Sequence, residues 1–271
     1  MTRLNKHIAR ILGISRREAD TLIDSGKVKV DSKTAVLGQQ PDANAAITVD
    51  GKTIDKSSTA QYIALNKPVG YVCSRKQQGD SPTIYSLLPP DLQQLKTVGR
   101  LDRDSSGIIL LTNDGDFAHQ MTHPSFSKVK IYEVNLDKPL QPLHQQMISD
   151  HGIQLEDGVS KFMVEKIETP NSSLSADVFS KHLQPKPDQT SGLLSDMARS
   201  RLEKTSAEKT DTTNETTARY RITMHEGRNR QIRRTFDALG YTVTKLHRIQ
   251  FGNFQLDELR PREWKKVEKN S

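Results

Sequence analysis

The nine residues Gly99–Gly107 (GRLDRDSSG) run directly into the apolar stretch Ile108-Ile109-Leu110-Leu111, and no other junction constrains this chain as much. The apolar stretch reads as a strand, which puts the preceding loop at the rim of a sheet. Ser105, Ser106 and Gly107 shape the turn into it. The loop carries one carboxylate, Asp102, between Arg100 and Arg103. Arginine cannot deprotonate, so a carboxylate held beside it stays ionised well below neutral pH. Such a group is a salt-bridge anchor, a nucleophile or a base, and the loop alone does not choose among them.

The charge of the chain is localised. Across 271 residues there are 40 Lys and Arg against 33 Asp and Glu, a formal net charge of +7, which points to a polyanionic partner. Residues 1–30 hold Arg3, Lys6, Arg10, Arg16, Arg17, Lys27 and Lys29 against only Glu18, Asp20 and Asp24. Residues 219–248 hold eight basic side chains against Glu226 and Asp237. The remainder is net acidic.

The first basic segment has the pattern of a small folded module. Leu4, Ile8, Ile11 and Leu12 recur at helical spacing before Gly13, and Ser15 with Glu18 forms a capping box for a second helix reaching about Ser25. Short strands are expected at Val28–Val30 and Ile47–Val49. The order RLNKxIA, SRREADxLI, GxVxV resembles the αL-type RNA-binding module first named in a small-subunit ribosomal protein. The resemblance implies that Arg3, Lys6, Arg10, Arg16 and Arg17 sit on phosphates, the sequence-blind part of recognition. The module is expected over 1–55, a linker over 56–60 and a second domain over 61–268.

In that second domain, strands are expected at Tyr62–Leu65 and Tyr71–Ser74, with Lys67 displayed on the Pro68–Gly70 bend between them. A short helix at Phe117–Met121 precedes Pro124, and Lys130–Leu136 alternates with Tyr132, Val134 and Leu136 on one face. Residues 170–218 are rich in Ser, Thr, Lys, Asp and Gln, and read as a disordered insertion without chemistry of its own, between strands near Val164–Glu168 and Arg219–Thr223. The run Glu226–Arg234 (EGRNRQIRR) reads as the start of a helix that Gly240 ends, with Ile232, Phe236 and Leu239 buried. Arg230, Arg233 and Arg234 share its other side and repel one another unless an anion answers them; phosphate and Asp102 are the candidates.

Several classes drop out. The single cysteine, Cys73, excludes an intrachain disulfide and multi-cysteine metal sites, and is read as a half-buried strand residue. The scattered histidines show no metal-ligand spacing, so no metal is expected. With no signal-peptide core and no window of membrane-spanning length, a cytoplasmic protein that does not engage membranes is expected. A glycoside hydrolase using Asp102 lacks a clear second carboxylate, Asp104 being too close in sequence to assign.

Taken together, GRLDxDSSG, LLTNDG, KPxG, KxYxV and EGRNRQIRR behind an αL-type module resemble the RsuA/RluB/RluF branch of rRNA pseudouridine synthases over nearly all of the chain outside the insertion. The resemblance implies an α+β catalytic domain around a mixed, mostly antiparallel sheet. It implies that Asp102 is the catalytic aspartate, that Arg100 helps flip or hold the target nucleotide, and that Tyr132 stacks on the uracil. Arg233 is then the basic residue paired with Asp102, and Ile232 lines the base pocket. Arg228, Arg230 and Arg234 are expected at the RNA, and Lys67, a weaker match, is either structural or phosphate-facing. Where many members carry Met, this chain has Thr235, from which slightly looser packing is expected. The isomerisation neither gains nor loses atoms, so no cofactor is needed, in keeping with the absence of P-loop and dinucleotide motifs. Whether the carboxylate adds covalently or abstracts a ribose proton is not legible at this level. A monomer acting on ribosomal RNA is expected, with residues 154–158 and 262–264 favouring the large subunit. The alternative is a non-catalytic rRNA-binding assembly factor on the same fold.

Overall fold

The computed structural model describes residues 2–42, 44–54, 59–167 and 218–269. Most of the expected linker, and residues 170–217 of the expected insertion, lie outside them; Ala218 already begins a strand.

The N-terminal segment folds around its own core. Helix α1 (Leu4–Leu12) ends at Gly13, whose φ of 69° is left-handed. Helix α2 (Arg16–Asp24) carries the capping box: Ser15 Oγ accepts from the Glu18 N–H, and a Glu18 carboxylate oxygen accepts from the Ser15 N–H at 2.6 Å. Strands β1 (Val28–Val30), β2 (Lys33–Thr34), β3 (Ile47–Val49) and β4 (Lys52–Thr53) form a sheet in the order β2-β1-β3-β4. Leu4, Ile8, Ala19 and Ile23 bury against Val28, Val30, Ile47 and Val49. Ile11 is only half-buried and Leu12 is exposed, so the apolar stripe of α1 is narrower than its sequence spacing suggests.

The rest of the chain is built on one mixed sheet. Its elements are β5 (Tyr62–Lys67), β6 (Lys96–Val98), β7 (Ser106–Thr112), α3 (Gly115–Thr122), β8 (Lys130–Leu136), α4 (Pro142–Gln146), β9 (Ile153–Leu155) and β10 (Gly158–Ser160). There follow β11 (Met163–Lys166), β12 (Ala218–Met224), α5 (Gln231–Asp237), β13 (Val243–Phe251), β14 (Phe254–Gln255) and β15 (Trp264–Lys266). The sheet runs β11-β12-β8-β13-β7-β5-β15, with β14 on β13 and β6 on β7; β9 and β10 form a separate hairpin. Among the described strands, β13 and β7 make the only parallel pair.

Strand β7 explains the sheet. Every residue in it is buried, and alternate side chains enter two different cores. Ile109 and Leu111 join Tyr132, Val134, Ile232 and Phe236; Ile108 and Leu110 join Phe117, Met121, Phe251 and Phe254. One edge of β7 is divided: β13 pairs with Ser106 and Gly107, whereas β6 pairs with Leu110–Thr112. The Gly99–Ser105 loop crosses from β6 to β7 at this division. Gly107 is required there, because its φ is 107° and a Cβ on it would lie 2.1 Å from the Arg248 carbonyl oxygen.

Two local expectations change. Tyr71–Ser74 is not a strand; only Val72 forms an isolated bridge, with Thr83. Helix α5 begins at Gln231 rather than near Glu226, because Arg230 adopts a left-handed φ of 46° and the residues before it form a turn.

Candidate active site

The loop bearing Asp102 is held through its main chain. Lys67, at the end of β5, is 0% exposed, and its Nζ donates to the carbonyls of Asp102 (2.9 Å), Ser105 (2.6 Å) and Pro68 (3.1 Å). The Gly70 N–H donates to Arg103 O at 2.7 Å, and the Cys73 thiol to Leu101 O at 3.3 Å. Burial pushes the Lys67 ammonium down to about 8, against the partial support of nearby Cys73, Asp102 and Asp104. Lys67 is therefore a loop anchor. Of the two roles expected for it, structural or phosphate-facing, this burial fits the structural one, since its charge has no access to a phosphate.

With its backbone pinned, Asp102 presents a carboxylate with 34% side-chain exposure to a cavity of about 280 Å³. Arg100, Tyr132, Ile232, Arg230 and Arg248 line that cavity with it. Tyr132 comes from β8, Ile232 from the first turn of α5, and both are buried at their bases in the larger core. Arg100 is exposed at the cavity wall.

The arginines divide their partners differently from the sequence reading. Arg230 grips the Asp104 carboxylate through three contacts of 3.1–3.2 Å, and is the cation that reaches Asp102, at 3.9 Å. Arg233 is tied to Asp104, with its Nε 3.3 Å from the carboxylate and Nη2 donating to the carbonyl at 3.0 Å, and to Val243 O at 2.8 Å. The Arg233–Asp102 pair is thus replaced by Arg233–Asp104, since Asp104 and the end of β13 already occupy the guanidinium. Burial opposes the charge of Asp104, yet the hydrogen bonds from Arg230 and the charge of Arg233 hold its carboxyl below the ordinary value.

A second carboxylate answers the other arginines. Asp157, in the β9–β10 turn, accepts from Arg234 at 2.7 and 3.1 Å and from Arg228 at 3.1 Å. Arg228 also donates to the carbonyls of Asp157, Gly158 and Val159 and pairs with Glu226. Arg228 and Arg234, expected at the RNA, clamp the β9–β10 hairpin to α5. Lys6 is likewise engaged, in an ion pair with Asp116 at the start of α3. Arg3, Arg10, Arg16 and Arg17 are exposed and form no ion pair among the described residues.

Thr235 is fully buried; its hydroxyl donates to Gln231 O (2.9 Å) and accepts from the Ser160 hydroxyl (2.7 Å), so the polar group is satisfied inside the fold. The sequence reading gave Asp157, Lys130 and Arg248 no role at the site and left Asp104 unassigned. The i, i+2 spacing of Asp102 and Asp104 was the one available signal. Among the described residues no cluster of His, Cys, Asp and Glu could hold a metal ion, and no helix is long and apolar enough to cross a membrane.

Comparison with known proteins agrees with this architecture. The chain is 32% identical over 257 residues to ribosomal large subunit pseudouridine synthase B of Bacillus subtilis (strain 168), covering 94% of this chain and 88% of that protein. It is 29% identical over 258 residues to ribosomal small subunit pseudouridine synthase A of Pasteurella multocida (strain Pm70), covering 94% and 91%. A crystal structure of a pseudouridylate synthase aligns over 100% of this chain and 97% of its own, with a TM-score of 0.59 and 25% identity. Residues 61–238, which hold the Asp102 loop, Tyr132 and α5, match the model of the RNA pseudouridylate synthases, and the chain belongs to that family.

Proposed function

We propose that this chain converts one uridine of ribosomal RNA to pseudouridine, with Asp102 as the reacting carboxylate. The observation that carries this reading is the Asp102 side chain at a cavity it shares with Tyr132 and Ile232, on a loop whose carbonyls are pinned by buried Lys67. The reaction breaks the C1′–N1 bond, turns the base and rejoins it through C5. It needs a carboxylate at the sugar and a pocket that keeps the detached base, for which the Tyr132 ring and the Ile232 side chain are suited. Extracting the base from its stack costs a few kcal/mol, which stacking on Tyr132 and contacts from Arg100 to the backbone offset.

Residues 1–55 act in this reading as the RNA-docking module through Arg3, Arg10, Arg16 and Arg17, residues 56–60 as a linker and residues 61–268 as the catalytic domain. The enzyme works as a cytoplasmic monomer in ribosome biogenesis, without metal or cofactor. Large-subunit RNA is favoured by the 32% identity to a large-subunit synthase. The test is pseudouridine mapping of rRNA from cells with the gene, without it, and with Asp102→Asn. One modification should vanish in both altered strains; if every modification persists in both, the proposal fails. An assembly factor using the same fold would instead bind rRNA fragments in vitro without isomerising them.

A further inference from the structure

The cavity holds two cations, Arg248 and Lys130, that form no ion pair among the described residues. Arg248, on β13, is 2% exposed. Its Nε donates to Ile108 O at 2.9 Å and its Cζ lies 4.7 Å from the Phe251 ring centroid, but its Nη2 is buried without an acceptor among the described residues. It makes no ion pair among the described residues. Lys130, on β8, lines the same cavity and stands 5.6 Å from the same ring centroid. Its Nζ reaches only main-chain carbonyls, those of Lys128, His225 and Glu226, at 3.3–3.4 Å. Burial, and then the charge of Arg248, push Lys130 down to about 8. Glu226 is the acid that supports it, and the Glu226 carboxylate is already held by Arg228 and Gln231.

Two cations sharing one aromatic ring in a half-closed cavity destabilise each other and the fold around them, so an anionic ligand is the arrangement that satisfies them. Their place in the sheet says which anion. Arg248 pairs directly across the β8–β13 ladder with Tyr132, and Lys130 lies two residues before Tyr132 on the same strand. Both cations therefore flank the aromatic residue assigned to the base, rather than the exposed rim where Arg100 stands.

We infer that Arg248 and Lys130 receive the negative charge of the uracil ring after its bond to ribose is broken. This rests on the isomerase reading above. When C1′–N1 breaks heterolytically, the electron pair stays on N1 and spreads to O2 and O4. The sugar is completed either by a new C1′–O bond to the Asp102 carboxylate or by loss of the C2′ proton to it. The base is an anion until C5 attacks C1′, which expels the Asp102 oxygen or is accompanied by return of the C2′ proton. The C5 proton is then lost and N1 gains one, so atoms and charge balance. Fixed cations at the detached base lower the barrier because they need no reorganisation as the charge develops.

The test uses the full chain and an rRNA transcript carrying the mapped uridine, or 5-fluorouridine in its place. Binding and single-turnover loss of the starting nucleoside are measured for wild type, Arg248→Met, Arg248→Lys and Lys130→Met. Fluorine at C5 stabilises the uracil anion and so substitutes for the missing cation. Arg248→Met should bind RNA like wild type, react with uridine about 100-fold more slowly, and recover at least about tenfold of that deficit on 5-fluorouridine. Lys130→Met and Arg248→Lys should show the same pattern with smaller deficits. Equal deficits on both nucleosides, or unchanged rates, overturn the inference; so does weaker binding with an unchanged rate, which would make the pair a phosphate site. Circular dichroism checks folding, and if Arg248→Met does not fold, the other two variants decide by the same criteria. If wild type leaves uridine unreacted at every position, the isomerase reading itself falls.

Discussion

Lys67 shares its ammonium among the carbonyls of Pro68, Asp102 and Ser105 without any exposed surface, so its effect on Asp102 is entirely one of position. Lys67→Met strands these acceptors and should destabilise the fold by about 2–3 kcal/mol, measured by urea unfolding, and slow turnover more than it weakens RNA binding. Its pH dependence has a defined sign. The folded value of about 8 lies below that of a free lysine, so between about 8 and 10.4 the folded chain holds fewer protons than the unfolded one. The contribution of Lys67 to stability therefore rises with pH in that window, while its hold on the loop weakens. Turnover should fall above about pH 8 without a matching loss of urea stability; a parallel loss of both would refute this account. Gly107→Ala sets a Cβ against the Arg248 carbonyl at a positive φ and should cost about 3 kcal/mol or more, read from the thermal midpoint. The spacing of the Asp102 loop was legible in the chain. The burial of Lys67 was not, because a lysine on a Pro-Gly bend reads as displayed until the distant Asp102 loop folds over it.

At the scale of elements, α5 is held by carboxylates from two distant turns. Asp104 meets Arg230 and Arg233, and Asp157 meets Arg228 and Arg234. The hydrogen bonds from Arg234, followed by the charges of Arg228 and Arg234, keep the Asp157 carboxyl below its ordinary value even though burial opposes them. A lowered folded value means that the stability it contributes is present at neutral pH and is lost as pH falls below about 3.9 through that value. Asp157→Asn should lower the urea midpoint at pH 7, with the difference from wild type shrinking toward pH 3. A difference that stays constant with pH would show that the ion pairs contribute nothing. The arginine spacing on one helix turn foretold that anions must answer it. Which anions do so depends on where the β9–β10 hairpin docks, and no local pattern encodes that.

For the whole molecule, the net charge overstates the surface available to RNA. Much of the second basic segment is committed internally, whereas Arg3, Arg10 and Arg17 of the N-terminal segment remain exposed. Replacing Arg10 or Arg17 by Ala should reduce the slope of log affinity against log salt by about one each. Lys6→Ala should change it less, because Asp116 already pairs with that lysine. Filter binding across a salt series separates these outcomes, and equal effects from all three would mean that the Lys6–Asp116 pair opens on RNA.

The amino-acid order by itself determined the helices of the first segment, the covered strand β7, the loop that precedes it and the Asp102, Tyr132 and Ile232 set. The elements follow from periodicity and capping, which act over a few residues, and the residue set from the family resemblance that the ordered motifs carry. Only the tertiary structure decided which charge meets which. Lys67 turned inward under the loop, Asp104 took Arg233, Asp157 took Arg228 and Arg234, and Arg248 was left without a carboxylate among the described residues. These ion pairs join side chains that packing brings within a few ångströms, Arg228 and Arg234 lying 71 and 77 residues from Asp157 in sequence.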